Sequence, residues 1–340
     1  MPSENYQRWN QCQYTSQPKS KMEKGHYESY FLRANHPTTS EAFWIRYTIF
    51  SPKKAMEQAM GELWAIYFNG DSQEVIACKK ELPFNECVFS DKNLDVKIGN
   101  ATLTTGHAQA TMESRGNALG WNLDYNPEPN KNPTLLFLPE QLYRAKLPKA
   151  KAIVGCPNTV FSGSFTVNDQ VININNWVGS ENHNWGSKHT DRYAWGQVAG
   201  FDNEPNAFLE CITARIKLGP IWSPKLTIAV LRLDDVEYCF NTIRKVLKAK
   251  GDYTFFDWSF KTSNGSESLD VRVQAPKSNF VGLTYNNPPG GTHTCLNTKI
   301  ASCTATLTLK NGETRTLTTA SRAAFEILTD SNEHEVPIVA

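Results

Sequence analysis

The sequence predicts an all-β chain folded as two barrel-like lobes, with little helix. Three observations carry this. Short segments alternate polar and apolar residues along most of the length, and Asn, Gly, Asp and Pro turn signals separate them. A weak internal repeat aligns the chain with itself at a shift of 165: Tyr30 meets Trp195, Phe43 meets Phe208 and Phe68 meets Leu233, three consecutive strands in step without a gap. The 340 residues also exceed the usual single core. Antiparallel strands at this spacing close into sandwiches or barrels. The repeat favours barrels, which at about eight strands hold one small ligand.

Taken in order, residues 1–24 read as a disordered or loosely docked tail, with Trp9 and Tyr14 as anchors. The first lobe is expected over residues 25–178 and the second over 179–340. In Tyr27–Ala34, Glu28, Tyr30 and Leu32 share one face. Ala42–Phe50 opposes Trp44, Arg46 and Thr48 to Phe43, Ile45, Tyr47 and Ile49. Glu62–Asn69 follows and carries Trp64. Val96–Leu103, His107–Ser114 and Ala118–Tyr125 are further strands, the last with Leu119, Trp121, Leu123 and Tyr125 on one face. A break rich in proline and asparagine, Asn126–Pro133, precedes the hairpin Thr159–Trp177, turned at Asn168-Asp169.

The second half reuses the plan. Strands are expected at Arg192–Phe201, Ala207–Ile216, Leu226–Leu233 and Glu237–Asn241. Thr242–Lys250 is the one helical stretch, stopped by Gly251. Thr254–Thr262 is aromatic on both faces and includes Trp258. Leu269–Gln274, Phe280–Tyr285, Ser302–Leu309, Thr314–Thr319 and Ala323–Leu328 complete the set, with Asn311-Gly312 turning a hairpin.

The stretch Asn175–Phe201 stands apart. It holds three of the nine tryptophans (Trp177, Trp185, Trp195) and two of the seven histidines (His183, His189). Its middle reads as a loop rich in Asn, Gly and Ser between two strands. Such a loop is costly to order unless it packs, and its large aromatics indicate that it does.

Composition excludes several functions. Lys plus Arg is 35 and Asp plus Glu 34, a net charge of +1, against the basic stripe of a nucleic-acid binder. No apolar run approaches 18 residues, so no membrane span is expected, while contact with a membrane surface stays open. The polar N-terminus has no export signal, which gives a cytoplasmic expectation. The eight cysteines are scattered without a C-x-x-C pair, so they are expected reduced and partly buried, with no zinc site and no metal. Phosphate-loop, G-x-S-x-G, H-E-x-x-H and dinucleotide motifs are absent, and no cofactor is expected.

Five stretches carry a family resemblance: YESYFLRANHP (Tyr27–Pro37), AFWIRYTIFSP (Ala42–Pro52), LGWNLDY (Leu119–Tyr125), GSENHNWG (Gly179–Gly186) and YAWGQVAGF (Tyr193–Phe201). Together they resemble the lipocalin-like superfamily of carotenoid 1,2-hydratase (hydroxyneurosporene synthase) and tocopherol cyclase, which also includes uncharacterised bacterial proteins and natural-product cyclases. The resemblance spans roughly residues 25–330. It implies two tandem lipocalin-like barrels packed together, with an apolar pocket at or near their junction. It also implies alkene protonation on an isoprenoid or polyketide-like molecule, followed by water addition or ring closure, without a redox cofactor. The hydratases carry an aspartate directly before the His-Asn-Trp-Gly run, proposed as proton donor. Here that position is Asn182, and a carboxamide cannot protonate an alkene.

The candidate acids are therefore Glu181, Glu28 and Glu210, with His183 as acid, base or ligand-orienting donor. Asp191, which flanks the same stretch as Glu181, is a further candidate acid. Each carboxylate has the alternative of a solvated or structural role. His183 and Asn184 have the alternative of bonding the stretch to barrel backbone. Trp185 and Trp195 either line the pocket, facing a developing cation, or plug the lobes. Glu28 and Arg46 on adjacent strands either anchor a ligand head group in the first lumen, form a buried structural pair, or face outward. Tyr30, Trp64, Trp121, Asn182, Tyr193, Gln197 and Trp258 complete the expected substrate-binding set. The functional expectation is a cofactor-independent cyclase, isomerase or hydratase acting on a hydrophobic natural product. The alternatives are a carrier or sensor of such a molecule, which Asn182 favours, and an accessory protein without a ligand site.

Overall fold

The computed structural model describes residues 4–127 and 132–340. The first three residues of the expected tail and residues 128–131 of the expected break lie outside the described residues.

The chain is all-β and forms two large curled antiparallel sheets, one a nearly closed barrel and the other a half-barrel. The path of the first runs Glu74–Pro83, Met60–Asn69, Glu41–Ser51, His26–Asn35, Gln170–Gly186, Ala150–Val167, Asn117–Tyr125, His107–Ser114, then three short strands ending at Cys87–Phe89. The path of the second runs Val236–Phe240, Leu226–Leu233, Phe208–Arg215, Arg192–Ala199, Thr314–Thr329, Thr292–Thr308, Ser268–Gln274, Asp257–Ser263 and Lys250–Tyr253. The two sheets share one plan. Each pairs of the sequence repeat falls on corresponding strands: Tyr30 with Trp195, Phe43 with Phe208, Phe68 with Leu233.

Sheet membership changes between Gly186 and Arg192, so a division after residue 178 cuts the strand Gln170–Gly186. That strand also corrects the expected loop. Hydrogen bonding to His26–Asn35 on one side and to Ala150–Val167 on the other outweighs the poor strand propensity of Asn and Gly. Its glycines are required by close approach: a methyl group on Gly179 would sit 1.8 Å from the carbonyl oxygen of Arg33, and one on Gly186 would sit 2.2 Å from that of Lys149. The expected helix shrinks to Ile243–Val246, and the chain re-enters the sheet at Lys250.

The N-terminal segment is also more structured than a loose tail. Glu4–Asn10 is a helix, and Tyr6, Cys12 and Tyr14 are buried. None of the eight cysteines forms a disulfide. Among the described residues, no helix is long and apolar enough to cross a membrane.

Each lobe has its own apolar core, with Trp121, Phe161 and Phe165 in the first and Trp258, Phe260 and Phe325 in the second. A third cluster joins them. Phe31, Trp44, Trp64 and Phe68 from the outer face of the first sheet meet Leu283, Tyr285, Cys295 and Leu328 of the second. All ten residues of His26–Asn35 are therefore buried, because this strand has a core on each side.

Candidate functional site

Strand alternation decides which side chains reach the junction. Across His26–Asn35, Tyr27, Ser29, Phe31 and Arg33 face the second lobe, while Glu28, Tyr30 and Leu32 face the first core. In Glu41–Ser51, Arg46 pairs with Phe31 and Glu28 pairs with Ile49. Glu28 and Arg46 therefore point to opposite faces, which corrects the expected pairing in one lumen. Asn182 and Asn184 face the junction from the Gln170–Gly186 strand. Tyr193, Trp195 and Gln197 face it from Arg192–Ala199, and Glu210 and Ile212 from Phe208–Arg215.

These faces enclose a cavity of about 360 Å³. Of the expected residues, Arg46, Asn182, His183, Asn184, Tyr193, Trp195 and Glu210 line it. The rest of the wall is mainly apolar or aromatic, including Phe31, Trp44, Ile228 and Tyr285. Ile243 and Leu247, both exposed, lie at its rim.

A buried hydrogen-bond network sits on one wall. Gln197 Nε2 donates to Asn182 Oδ1 and to Glu210 Oε2, both at 2.7 Å. Ser180 Oγ donates to Gln197 Oε1 at 2.7 Å, and Trp195 Nε1 donates to Glu210 Oε1 at 2.7 Å. Asn182 Nδ2 donates to Ser180 Oγ and to the Phe31 carbonyl. Burial pushes the Glu210 carboxyl up to about 7, against the opposing pull of the Trp195 and Gln197 donors. At neutral pH this side chain is therefore divided between an acid that can give a proton and a carboxylate that can take one.

The other expected acids lie elsewhere. Glu28 accepts from the backbone N–H groups of Gln13 and Tyr14 at 2.7 Å each. It also contacts His183 Nε2 at 2.8 Å and His26 Nε2 at 3.0 Å. Burial alone would raise its pKa. The two histidines outweigh that and hold the carboxyl well below the usual range. His183 Nδ1 faces the Trp9 carbonyl at 2.8 Å. Both ring nitrogens are thus engaged by oxygens away from the cavity. Glu181 accepts from Tyr6 and Tyr125 hydroxyls, each at 2.6 Å. Its pKa is raised by burial. Tyr30 Oη donates to the Asn10 carbonyl at 3.1 Å, so Glu28, Glu181, His183 and Tyr30 clamp the N-terminal segment onto the first barrel.

Trp185 packs near Tyr143 and His183, beside that segment. Trp121 lies in the first core, where it donates to Tyr47, and Trp258 in the second, where it donates to Thr213. Trp64 lies in the joint between lobes, flanked by Tyr285 and Lys79. Asp191 pairs with Lys188 and accepts from the Lys217 backbone.

Among the lining residues not singled out as binding residues from the sequence are Tyr27, His189, Tyr285 and Glu326. His189 stacks on Tyr27 with centroids 3.8 Å apart, and burial, then Arg46, holds it well below its usual pKa, hence neutral. Glu326 accepts from Lys299 and Asn297. Its signal was present in the sequence: a lone carboxylate in the apolar run Ala323–Leu328. Among the described residues no group of three or more His, Cys, Asp or Glu is placed to hold a metal.

No family model matches the chain. An uncharacterised protein of Mycobacterium tuberculosis, Rv0493c, is 23% identical over 288 residues, covering 84% of this chain and 82% of that protein. Among solved structures, kievitone hydratase from Nectria haematococca has a TM-score of 0.55 at 11% identity, covering 91% of this chain and 90% of that one. CghA has a TM-score of 0.57 at 10% identity, covering 91% and 89%, and a structure of CghA with Sch210972 is also similar. The shared property is the tandem-barrel fold.

Proposed function

We propose that this chain is a hydratase- or cyclase-type enzyme that holds a hydrophobic, natural-product-like alkene in the cavity between its lobes. The observation that carries the reading is Glu210: a buried carboxyl on the cavity wall, with its pKa raised to about 7. The similarity in fold to a hydratase, and to a protein solved with Sch210972, supports the class of reaction. The finer likeness to carotenoid hydratase or tocopherol cyclase belongs to the same proposal.

In this reading the Glu210 O–H adds its proton to one alkene carbon, leaving a cation on the neighbouring carbon. Trp195 and Trp44, which the Lys299 ammonium already overlies at 5.6 and 5.4 Å from their ring centroids, line the cavity around it. Donors from Trp195 and Gln197 hold the resulting carboxylate. Water or a nucleophile within the substrate then closes the cation, and the proton lost returns to Glu210. The net change is hydration or isomerisation, with no electrons gained or lost. The acid missing at Asn182 is replaced by one joined to it through Gln197.

The test is turnover of an isoprenoid and polyketide alkene panel in D₂O, followed by mass spectrometry. Wild type should place deuterium on carbon, and Glu210→Gln should lower the rate by at least about 100-fold. Tight binding of several members with no turnover would establish the carrier reading instead.

A further inference from the structure

We infer that Arg46 is the anchor for an anionic oxygen on the ligand, such as a carboxylate, enolate or phenolate. This deepens the proposed function and rests on its cavity.

Arg46 lines the cavity and is 5% exposed. A guanidinium carries five N–H donors. One bond from it is formed, from a terminal nitrogen to the neutral Ser29 hydroxyl at 2.7 Å. Its buried Nε has no partner. Among the described residues, no carboxylate forms an ion pair with it. The two acids of its surroundings are already taken. Glu62 holds Lys79 at 3.2 Å and Asn286 at 3.1 Å. Glu326 holds Lys299 at 2.9 Å and Asn297 at 2.8 Å.

The contrast with the other buried arginine of this face is informative. Arg33 also has a buried Nε without a partner, but it places both terminal nitrogens on the Gln197 and Arg322 carbonyls and on Asn35 Oδ1. It does not line the cavity. Arg46 instead lies over the Tyr285 ring, 4.5 Å from its centroid, with Trp44 at 6.0 Å. Aromatic faces offset part of the cost of burying the charge and leave its in-plane donors uncommitted. Burial alone would lower its pKa, and Tyr285, Glu62 and Glu326 together outweigh that, yet neither carboxylate bonds the guanidinium, so its donors stay open. A ligand that brings an anionic oxygen into this cavity supplies the missing partner, in the bidentate geometry that guanidinium favours.

The experiment compares two fluorescent probes with one ring system. One is 8-anilinonaphthalene-1-sulfonate, an anion, and the other is N-phenyl-1-naphthylamine, which lacks the sulfonate. Binding is titrated with wild type, Arg46→Met and Arg46→Lys, each checked for folding by circular dichroism. Wild type should prefer the sulfonate. Arg46→Met should weaken the sulfonate by about 10- to 100-fold, the range of one to two charge-assisted hydrogen bonds. The neutral probe should bind all three proteins alike, and Arg46→Lys should keep part of the preference. If Arg46→Met leaves sulfonate affinity unchanged, or weakens both probes equally, the anchor is refuted while the apolar cavity stands. If neither probe binds wild type, both the anchor and the ligand-cavity reading fall.

Discussion

Replacing Glu210 by glutamine gives a signature that does not require the substrate. The carboxyl is 3% exposed and its pKa rises from 4.5 to about 7 on folding. The folded state therefore keeps a proton that the unfolded chain releases over this interval. Stability from this group is complete below about pH 4.5 and is lost as pH rises through about 7. At about 1.4 kcal/mol per pH unit, the loss is roughly 3 kcal/mol. Glu210→Gln cannot ionise, so it removes that slope. It also brings a constant penalty of about 1–2 kcal/mol, because its single carbonyl cannot accept from both Trp195 and Gln197. Urea unfolding followed by tryptophan fluorescence at pH 5 and pH 8 separates the two effects. The mutant should gain on wild type by roughly 2.5 kcal/mol between these pH values. A stability difference that stays constant with pH would refute a Glu210 that holds its proton.

Other perturbations have equally definite outcomes. Trp195→Phe removes a donor that favours the carboxylate, so the Glu210 pKa should rise further and the alkaline limb of the pH–activity profile should move to higher pH. Glu28→Gln should cost about 3 kcal/mol near neutral pH and expose residues 9–14 to limited proteolysis, because the N-terminal segment loses its clamp. Wild type should lose the same contribution in acid: the depressed Glu28 pKa makes it present above about 4.5 and lost as pH falls through the lower, folded value. Gly179→Ala, which drives a methyl group onto the Arg33 carbonyl, should destabilise by about 3 kcal/mol or more in the same urea assay.

The architecture was legible because alternation and the repeat survive folding almost unchanged. Tyr30 and Trp195 do occupy corresponding strands. Periodicity states which residues share a face but not what that face meets. Alternation along Phe208–Arg215 puts Glu210 on one face with Phe208 and Ile212, yet nothing in the pattern says that their face meets the other lobe rather than a lumen. Register was also hidden. Glu28 and Arg46 lie on adjacent strands, and the pairing Arg46–Phe31 sends them to opposite sides. The Asn- and Gly-rich composition of Gly179–Gly186 suggested a loop because one strand that supplies its hydrogen bonds, His26–Asn35, is remote in sequence, and the hairpin partner was read only from Thr159, short of the residues that pair with most of this stretch. The N-terminal helix is too short to leave a periodic signal, and its docking depends on Glu28 and Glu181.

The most direct measurement for the central claim is to purify wild type and Glu210→Gln from the native host, extract each with organic solvent and identify what copurifies by mass spectrometry. The account predicts that the mutant retains an unsaturated hydrophobic molecule, and that wild type converts this molecule in D₂O to a hydrated or cyclised product carrying deuterium on carbon. Conversion of it at equal rates by wild type and mutant would contradict Glu210 as the proton donor. An unaltered molecule bound equally by both proteins would contradict the enzyme.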